Sequence, residues 1–256
     1  MDWNPEQYLK FAAPRLRPAL DLLAHIALDA PATVHDLGCG TGNVTRLLAQ
    51  RWPAAAVTGV DDSPEMLAQA QSENPHIRWQ RQSMSAWTAP DPADLIFSNA
   101  ALHWLPDHGS LFPRLLAMLA QGGVLAVQMP ANFRAPSHAL IAETIAAGSW
   151  SARLSPLLGP PPVHEPADYY GWLAAAGAAD LDVWETSYLH VLDGADAVKE
   201  WTKGTWLRQF LAALEPSDRP AFEADYAARL RAAYPRRPDG KTLLPFKRLF
   251  IVARKA

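Results

Sequence analysis

The run Val34-His35-Asp36-Leu37-Gly38-Cys39-Gly40-Thr41-Gly42-Asn43 constrains this chain most. A short β-prone stretch ends in three glycines at alternate positions. Asn43 to Arg51 then places Val44, Leu47 and Leu48 on one face of a helix. Strand, glycine turn and helix are the opening of a βαβ unit. Glycine lets a ligand lie against backbone, and the first turn of the helix offers N–H groups without intrahelical partners. In an open α/β sheet such a loop sits at the carboxyl ends of the strands, where ligands bind.

The same rhythm continues. Ala56 to Asp61 reads as a second strand, followed by Ser63 as helix cap and Pro64 at the first helical position of a helix to about Ser72. Ile77–Arg81, Asp94–Ser98 and Val124–Met129 read as further strands. An amphipathic helix over 108–120 is stopped by Gly122-Gly123. Alternation of this kind predicts a parallel sheet covered by helices on both faces, with right-handed crossovers. A helix is also expected over 15–28. After Pro130 the rhythm changes, with helices over 136–150, 166–176 and most of 194–234. Two strand-like runs, Leu181–Leu192 and Arg248–Ala253, are expected to add an antiparallel edge to the sheet.

At 256 residues, against a prior of about 150 per domain, the chain reads as one domain with an elaboration. The core that would hold a cofactor spans 30–130. Helical inserts at about 130–165 and 194–240 are expected to cap the substrate site. The balance of 23 basic and 26 acidic residues contains no basic block, which argues against nucleic acid as the ligand. No apolar run reaches the ~18 residues of a membrane span, and Met1 to Glu6 lacks the features of a secretory leader. A cytoplasmic protein is therefore expected. One cysteine allows no intrachain disulfide, and the 8 histidines show no metal-ligand spacing, so no metal is expected.

Asp61 closes the second strand 19 residues after Gly42, where a carboxylate can accept two hydrogen bonds from a ribose diol. Asp62 follows it and would repel a 2′-phosphate. A dinucleotide needs a third glycine inside the helix, where this chain has Asn43. Asp36, at the end of the first strand, would repel a pyrophosphate and attract an ammonium. A nicotinamide-dependent oxidoreductase is thus the weaker reading, and S-adenosylmethionine the stronger.

The segments 36–43, Gly59-Val60-Asp61-Asp62-Ser63-Pro64-Glu65-Met66-Leu67 and Asp94 to Leu105 resemble the motifs of class I S-adenosylmethionine-dependent methyltransferases. The resemblance implies a Rossmann-like α/β fold with a mostly parallel seven-stranded sheet, an antiparallel edge strand and a helical cap. It implies that Asp36, Gly38 and Gly40 line the amino-acid part of the cofactor, with Asn43 closing the loop. Asp61 would hold the ribose, and Asp62 and Met66 would flank the adenine. Ser83 and Met84 would meet the adenine edge, and Asn99 the cofactor's amino acid. Ser83 stands where the family often has an acidic residue, which leaves the Met84 N–H to serve.

A closer likeness, carried by Asp2-Trp3-Asn4-Pro5, Trp104-Leu105-Pro106-Asp107-His108 and Arg248 to Arg254, is to a branch that methylates small carboxylic acids. His103 stands where glutamine is expected there, so another small acid or an alcohol remains an alternative substrate. A carboxylate, with a pKa of about 4, is ionised at neutral pH and needs no general base. Catalysis would then be positioning alone, with no catalytic residue. The expected substrate contacts are Tyr8, Arg15 or Arg17, His103, Trp104, Gln128 and Arg248. Trp3 is a candidate to close the pocket. Gln128 is a polar residue ending an apolar strand, which needs a reason. Trp201 and Trp206 read as core and Arg208 as surface, and Cys39 as a small filler in the loop.

Overall fold

The computed structural model describes residues 16–204 and 206–256. Its core is a seven-stranded sheet in the order β3-β2-β1-β4-β5-β7-β6. The strands are β1 (Thr33–Leu37), β2 (Ala56–Asp61), β3 (Arg78–Arg81), β4 (Ala93–Asn99), β5 (Leu119–Pro130), β6 (Ala178–Leu192) and β7 (Thr242–Lys255). β1 pairs in parallel with β2 and β4, β2 with β3, and β4 with β5. β7 runs antiparallel to β5, from Val124↔Arg254 to Pro130↔Arg248, and β6 lies beyond it.

The chain divides into two compact units. The first holds the described residues up to Pro130 together with Val163–Thr186 and Arg248–Ala256. β1 sits between two strands, and Val34 and Leu37 are fully buried, as the apolar run predicts. Helices α1 (Arg17–Ala24), α2 (Asn43–Arg51), α3 (Pro64–Glu73), α4 (His108–Ala117) and α7 (Pro166–Ala175) belong to this unit. α2 and α3 start at the expected residues, α3 with the Ser63 hydroxyl accepting from the Met66 N–H at 3.2 Å. Because the first five strands are parallel, Leu37, Asp61, Arg81, Asn99 and Gln128 all come to one edge of the sheet. Chain topology thereby delivers the motif residues to a common place.

The second unit holds Ala131–Pro162 and Ser187–Lys247. It contains α5 (Pro136–Ala147), α6 (Ser151–Leu154), α8 (Ala197–Lys203), α9 (Leu207–Ala213) and α10 (Arg219–Ala233). Ile141, Ile145, Leu154, Leu207, Phe210, Phe222, Tyr226 and Leu230 form its apolar core. At about 1.5–3 kcal/mol for each fully buried large apolar side chain, this core accounts for the unit's compactness. The Tyr226 hydroxyl donates to the Ser137 carbonyl at 2.5 Å, and the Ser137 N–H donates to the Tyr234 hydroxyl at 3.0 Å, which pins the start of α5. Trp201 and Trp206 pack against this core and Arg208 is exposed, as expected.

Several boundaries differ from the sequence reading: the helix expected over 15–28 covers Arg17–Ala24, the one expected over 136–150 ends at Ala147, and β6 begins at Ala178, three residues before Leu181. β5 begins at Leu119, so Gly122 and Gly123 lie inside a strand instead of beyond a helix end. The β4–β5 register shifts between Ala93 and Leu95, opposite this stretch, and Gly122 adopts φ +75°. The 194–234 stretch is mostly helical, as expected, in the three helices α8, α9 and α10, with polar and turn-forming residues interrupting the apolar periodicity at Gly204 and again at 215–218. β7 begins at Thr242, six residues before the apolar run, because alternating burial of Thr242 and Leu244 extends the strand.

Candidate active site

The glycine loop leaves β1 with Gly38, Gly40 and Gly42 at φ of +72°, +55° and +79°. It is tied to β2, since the Gly38 and Cys39 N–H groups both donate to the Val60 carbonyl, at 2.8 and 3.0 Å. Gly42 is the residue before α2, and an added Cβ there would fall 2.3 Å from the Trp79 ring. Glycine is thus required at 42 by conformation and by space together. At Gly38 the close approach is to Ala101 Cβ, 2.2 Å from the position of an added Cβ, and to Met84 Sδ at 3.0 Å. An added Cβ at Gly40 would meet nothing within 4 Å, so this glycine faces open space. The loop is therefore packed from behind and open at its middle.

Asp61 braces this loop. Its Oδ2 accepts from the Gly40 N–H at 2.9 Å, and its Oδ1 accepts from the Ser63 N–H at 3.0 Å. Each carboxylate oxygen keeps a second lone pair, enough for a vicinal diol. Asp36 is buried, and the Thr45 hydroxyl donates to its Oδ2 at 2.6 Å. Burial pushes its carboxyl up to about 7; the Thr45 hydrogen bond opposes this and the Asp61 charge adds to it. Cys39 is half-buried and free, and burial with the two nearby carboxylates raises its thiol pKa, so it stays protonated.

The other expected cofactor residues surround this loop. Asn43 is exposed at the start of α2 and donates to the Thr41 hydroxyl at 3.2 Å. Asp62 is exposed, with its carbonyl receiving Arg81 Nε at 3.4 Å, and Met66 stands exposed on α3. The Ser83 hydroxyl pairs with that of Ser85 at 2.9 Å, and Met84 packs toward Gly38. Asn99 ends β4 with a buried Oδ1 that lacks a hydrogen-bond partner. A buried acceptor left unmade is costly, and an ammonium would satisfy it. The next residue, Ala100, adopts φ +55°, a conformation costing on the order of 1–3 kcal/mol for a side-chain-bearing residue. Its N–H donates to the Gln128 carbonyl at 2.9 Å, which holds the bend in place.

A second polar group lies next to Asn99. Gln128, on β5, is opposite Asn99 of β4 and Phe250 of β7. It is fully buried at 0% exposure, and its Oε1 accepts from Arg248 Nη1 at 3.2 Å. Its Nε2 is a buried donor without a partner. Arg248 is 8% exposed. His103, 7% exposed, lies in the 3₁₀ turn Leu102–Trp104; burial pushes its imidazole down to about 4, and the Arg248 charge adds to this. It is a neutral side chain near pH 7. Trp104 is 60% exposed, its ring centroid 4.6 Å from that of His103. Arg17 opens α1 with a side chain 61% exposed and an ion pair to Asp21 at 3.8 Å. Tyr8, Arg15 and Trp3 lie outside the described residues.

Several residues of the site carry no local sequence signal. Trp79 of β3 fills the space above Gly42 and Gly59. Thr45, in the first turn of α2, holds Asp36. His108 steadies the turn that carries His103. The Leu102 carbonyl can only accept, so the His108 Nε2 donates to it at 3.0 Å, and Nδ1 then accepts from the Tyr169 hydroxyl at 2.6 Å.

The sheet order, the glycine loop at the first crossover and the acid at the end of β2 define a class I methyltransferase. Residues 34–123 match the model of a methyltransferase domain. Over 251 residues, 98% of each chain, the protein is 51% identical to a trans-aconitate 2-methyltransferase of Azoarcus sp.. It is 47% identical over 255 residues to one of Methylobacterium nodulans, covering 99% of this chain and 98% of that one. The chain belongs to the trans-aconitate 2-methyltransferase family. In fold it resembles the YcgJ protein of Bacillus subtilis, with TM-score 0.57 and 18% identity over 93% of this chain and 98% of that one. It also resembles a Haemonchus contortus phosphoethanolamine N-methyltransferase solved with S-adenosyl-L-methionine, with TM-score 0.54 and 17% identity over 93% of this chain and 52% of that one. This membership sets aside the nicotinamide-dependent oxidoreductase reading.

If Asp61 holds the ribose as well as the loop, Asp61→Ala should raise the dissociation constant for S-adenosylhomocysteine at least tenfold, about 1.4 kcal/mol. Titration calorimetry reads this directly. An unchanged constant would leave Asp61 as a brace for Gly40 and nothing more.

Proposed function

We propose that this protein transfers a methyl group from S-adenosylmethionine to a carboxylate oxygen of trans-aconitate, giving the monomethyl ester. The observation that carries the acceptor side is the buried Arg248–Gln128 pair beside Asn99, at the carboxyl edge of the sheet. An arginine fork and a spare amide donor suit one carboxylate of a polyanion. The names of the full-length relatives support the same acceptor.

Bound S-adenosylmethionine supplies an electrophilic methyl group on a sulfonium sulfur. The residues present fit it: open space over Gly40, two lone pairs left on Asp61, an acid at Asp36 and an unmet acceptor at Asn99. Asp36, Gly38, Gly40, Asn43 and Asn99 are assigned to its amino-acid end, Asp61 to its ribose, and Asp62, Met66, Ser83 and Met84 to its adenine. Arg248 and Gln128 would anchor a carboxylate other than the one that attacks. His103, being neutral, can orient the attacking carboxylate without discharging it, and Trp104 would cover it. Arg17, with Tyr8 and Arg15, is kept as a candidate for a further carboxylate. Positioning of this kind can contribute roughly 7–11 kcal/mol to lowering a barrier. No helix among the described residues is long and apolar enough to cross a membrane. The proposed setting is the cytoplasm.

The experiment is transfer of labelled methyl to trans-aconitate beside cis-aconitate, citrate and isocitrate. Base-labile label on trans-aconitate is the expected result. Cofactor binding by calorimetry with transfer to none of the four would move the acceptor elsewhere.

A further inference from the structure

We propose that Arg114 is a positioning residue for the adenine end of the cofactor, acting by bracing the 83–87 turn. The inference rests on the cofactor reading above. Arg114 lies on α4 and is half-buried. Its Nη1 donates to the Trp87 carbonyl at 2.6 Å, and its Nη2 donates to the Ser85 carbonyl at 3.0 Å and the Met84 carbonyl at 3.5 Å. One guanidinium thus gathers three carbonyls of a single turn. A rigid planar fork does this where a lysine would reach only a point.

The turn joins β3 to β4 without regular structure, and its internal backbone bonds are long: Ala86 N–H to Ser83 carbonyl at 3.2 Å and Trp87 N–H to Met84 carbonyl at 3.4 Å. The Ser83–Ser85 hydroxyl pair at 2.9 Å and Gln82 Nε2, donating to the Ala86 carbonyl at 3.2 Å, add side-chain support, but Arg114 is the group that spans the Met84, Ser85 and Trp87 carbonyls together. The fully buried Trp87 side chain anchors one end. At the other, Met84 packs against the glycine loop, with its sulfur 3.0 Å from where a Cβ of Gly38 would stand. No peptide bond among the described residues is cis, so each N–H points opposite to the carbonyl it is bonded to. The Ser83 carbonyl is turned inward to Ala86, so the Met84 N–H is aimed out of the turn. That N–H is the donor assigned to the adenine edge, and Arg114 holds the turn that aims it. Nothing local marks this role, because Arg114 is 27 residues from Trp87 along the chain.

The test measures binding of S-adenosylhomocysteine and S-inosylhomocysteine by calorimetry. Adenine N1 accepts a hydrogen bond, whereas hypoxanthine N1 carries a hydrogen and would oppose the Met84 N–H. Wild type should prefer the adenosyl compound at least tenfold. Arg114→Ala should weaken S-adenosylhomocysteine binding tenfold or more and reduce the preference at least threefold, while KM for trans-aconitate at saturating donor stays within twofold. Arg114→Lys should fall between, and it carries the test if the alanine variant does not fold. A merely structural role would lower Tm and leave the preference ratio at its wild-type value, and that result would overturn the proposal. Equal binding of both compounds by wild type would overturn it too. Binding of neither by wild type would instead sink the cofactor reading, and this inference with it.

Discussion

Replacing Arg248 with alanine is expected to lower kcat/KM for trans-aconitate by between about 30-fold and several thousand-fold. Truncating one partner of a buried, hydrogen-bonded charge pair, as Arg248 would form with a substrate carboxylate, costs roughly 2–5 kcal/mol. Here the loss falls on both sides of the contact. The substrate carboxylate loses its cation, and Gln128 Oε1, buried and bonded to Arg248 at 3.2 Å, loses its donor. If the arginine anchors a non-attacking carboxylate, much of the effect appears in KM, with a smaller loss in kcat from poorer alignment. The dissociation constant for S-adenosylhomocysteine should stay within about twofold, which separates a clamp from general damage. Steady-state kinetics against trans-aconitate, with calorimetry for the cofactor product, gives both numbers. Unchanged kcat/KM would place the clamp elsewhere, and Arg17 would be the next residue to replace.

Asp36→Asn is expected to strengthen the unliganded protein and weaken cofactor binding at once. Asp36 is ionised in the unfolded chain above about pH 3.8, but burial raises its folded value to about 7. Protonated Asp36 is tolerated, so its contribution to stability is best below about pH 3.8, is lost as pH rises toward 7, and is constant above that. The difference corresponds to about 4 kcal/mol at most, at about 1.4 kcal/mol per pH unit. An asparagine keeps an acceptor for the Thr45 hydroxyl and carries no charge to bury. Its Tm at pH 8 should exceed wild type by several degrees, and the gap should close toward pH 4.

The same arrangement predicts proton release. With its carboxyl raised to about 7, Asp36 is partly protonated near neutral pH in the protein without cofactor. An ammonium brought beside it favours the carboxylate, against the opposing Asp61 charge, so binding S-adenosylhomocysteine should release a fraction of a proton. Binding heats in buffers of different ionisation enthalpy measure it. Asp36→Asn should release none and bind at least tenfold more weakly. Wild-type affinity in the variant, with the wild-type buffer dependence, would show that Asp36 does not meet the amino group.

The legible parts of this molecule are those where local sequence and fold have the same cause. β2 carries the predicted bounds, and β1 ends where the glycines begin, because apolar residues and glycines set them without help. Asp61 could be placed at the sheet edge because parallel pairing aligns strand ends. Gln128 stood out because an amide amid Val124 to Val127 has no apolar reason to be there, and it proves buried against Arg248. What could not be read is what distant chain brings. Trp79 is an unremarkable strand residue until it is seen covering Gly42 and Gly59. The β5 start at Leu119 depends on pairing with Ala93, which the glycine pair concealed. Asp61 holding Gly40 was missed because the acid and the loop were assigned to a ligand separately, not to each other.

The near-contact between Gly38 and Ala101 has a bearing on how this scaffold can be diversified. With 2.2 Å between the Ala101 Cβ and the place where a side chain at 38 would begin, the two positions behave as one character. A library that randomises 101 toward larger side chains would be pressing outward against the loop that is assigned to the donor. Variants selected for a wider acceptor range are therefore not expected at 101, and a sampling effort is better spent on Trp104, whose side chain is 60% exposed.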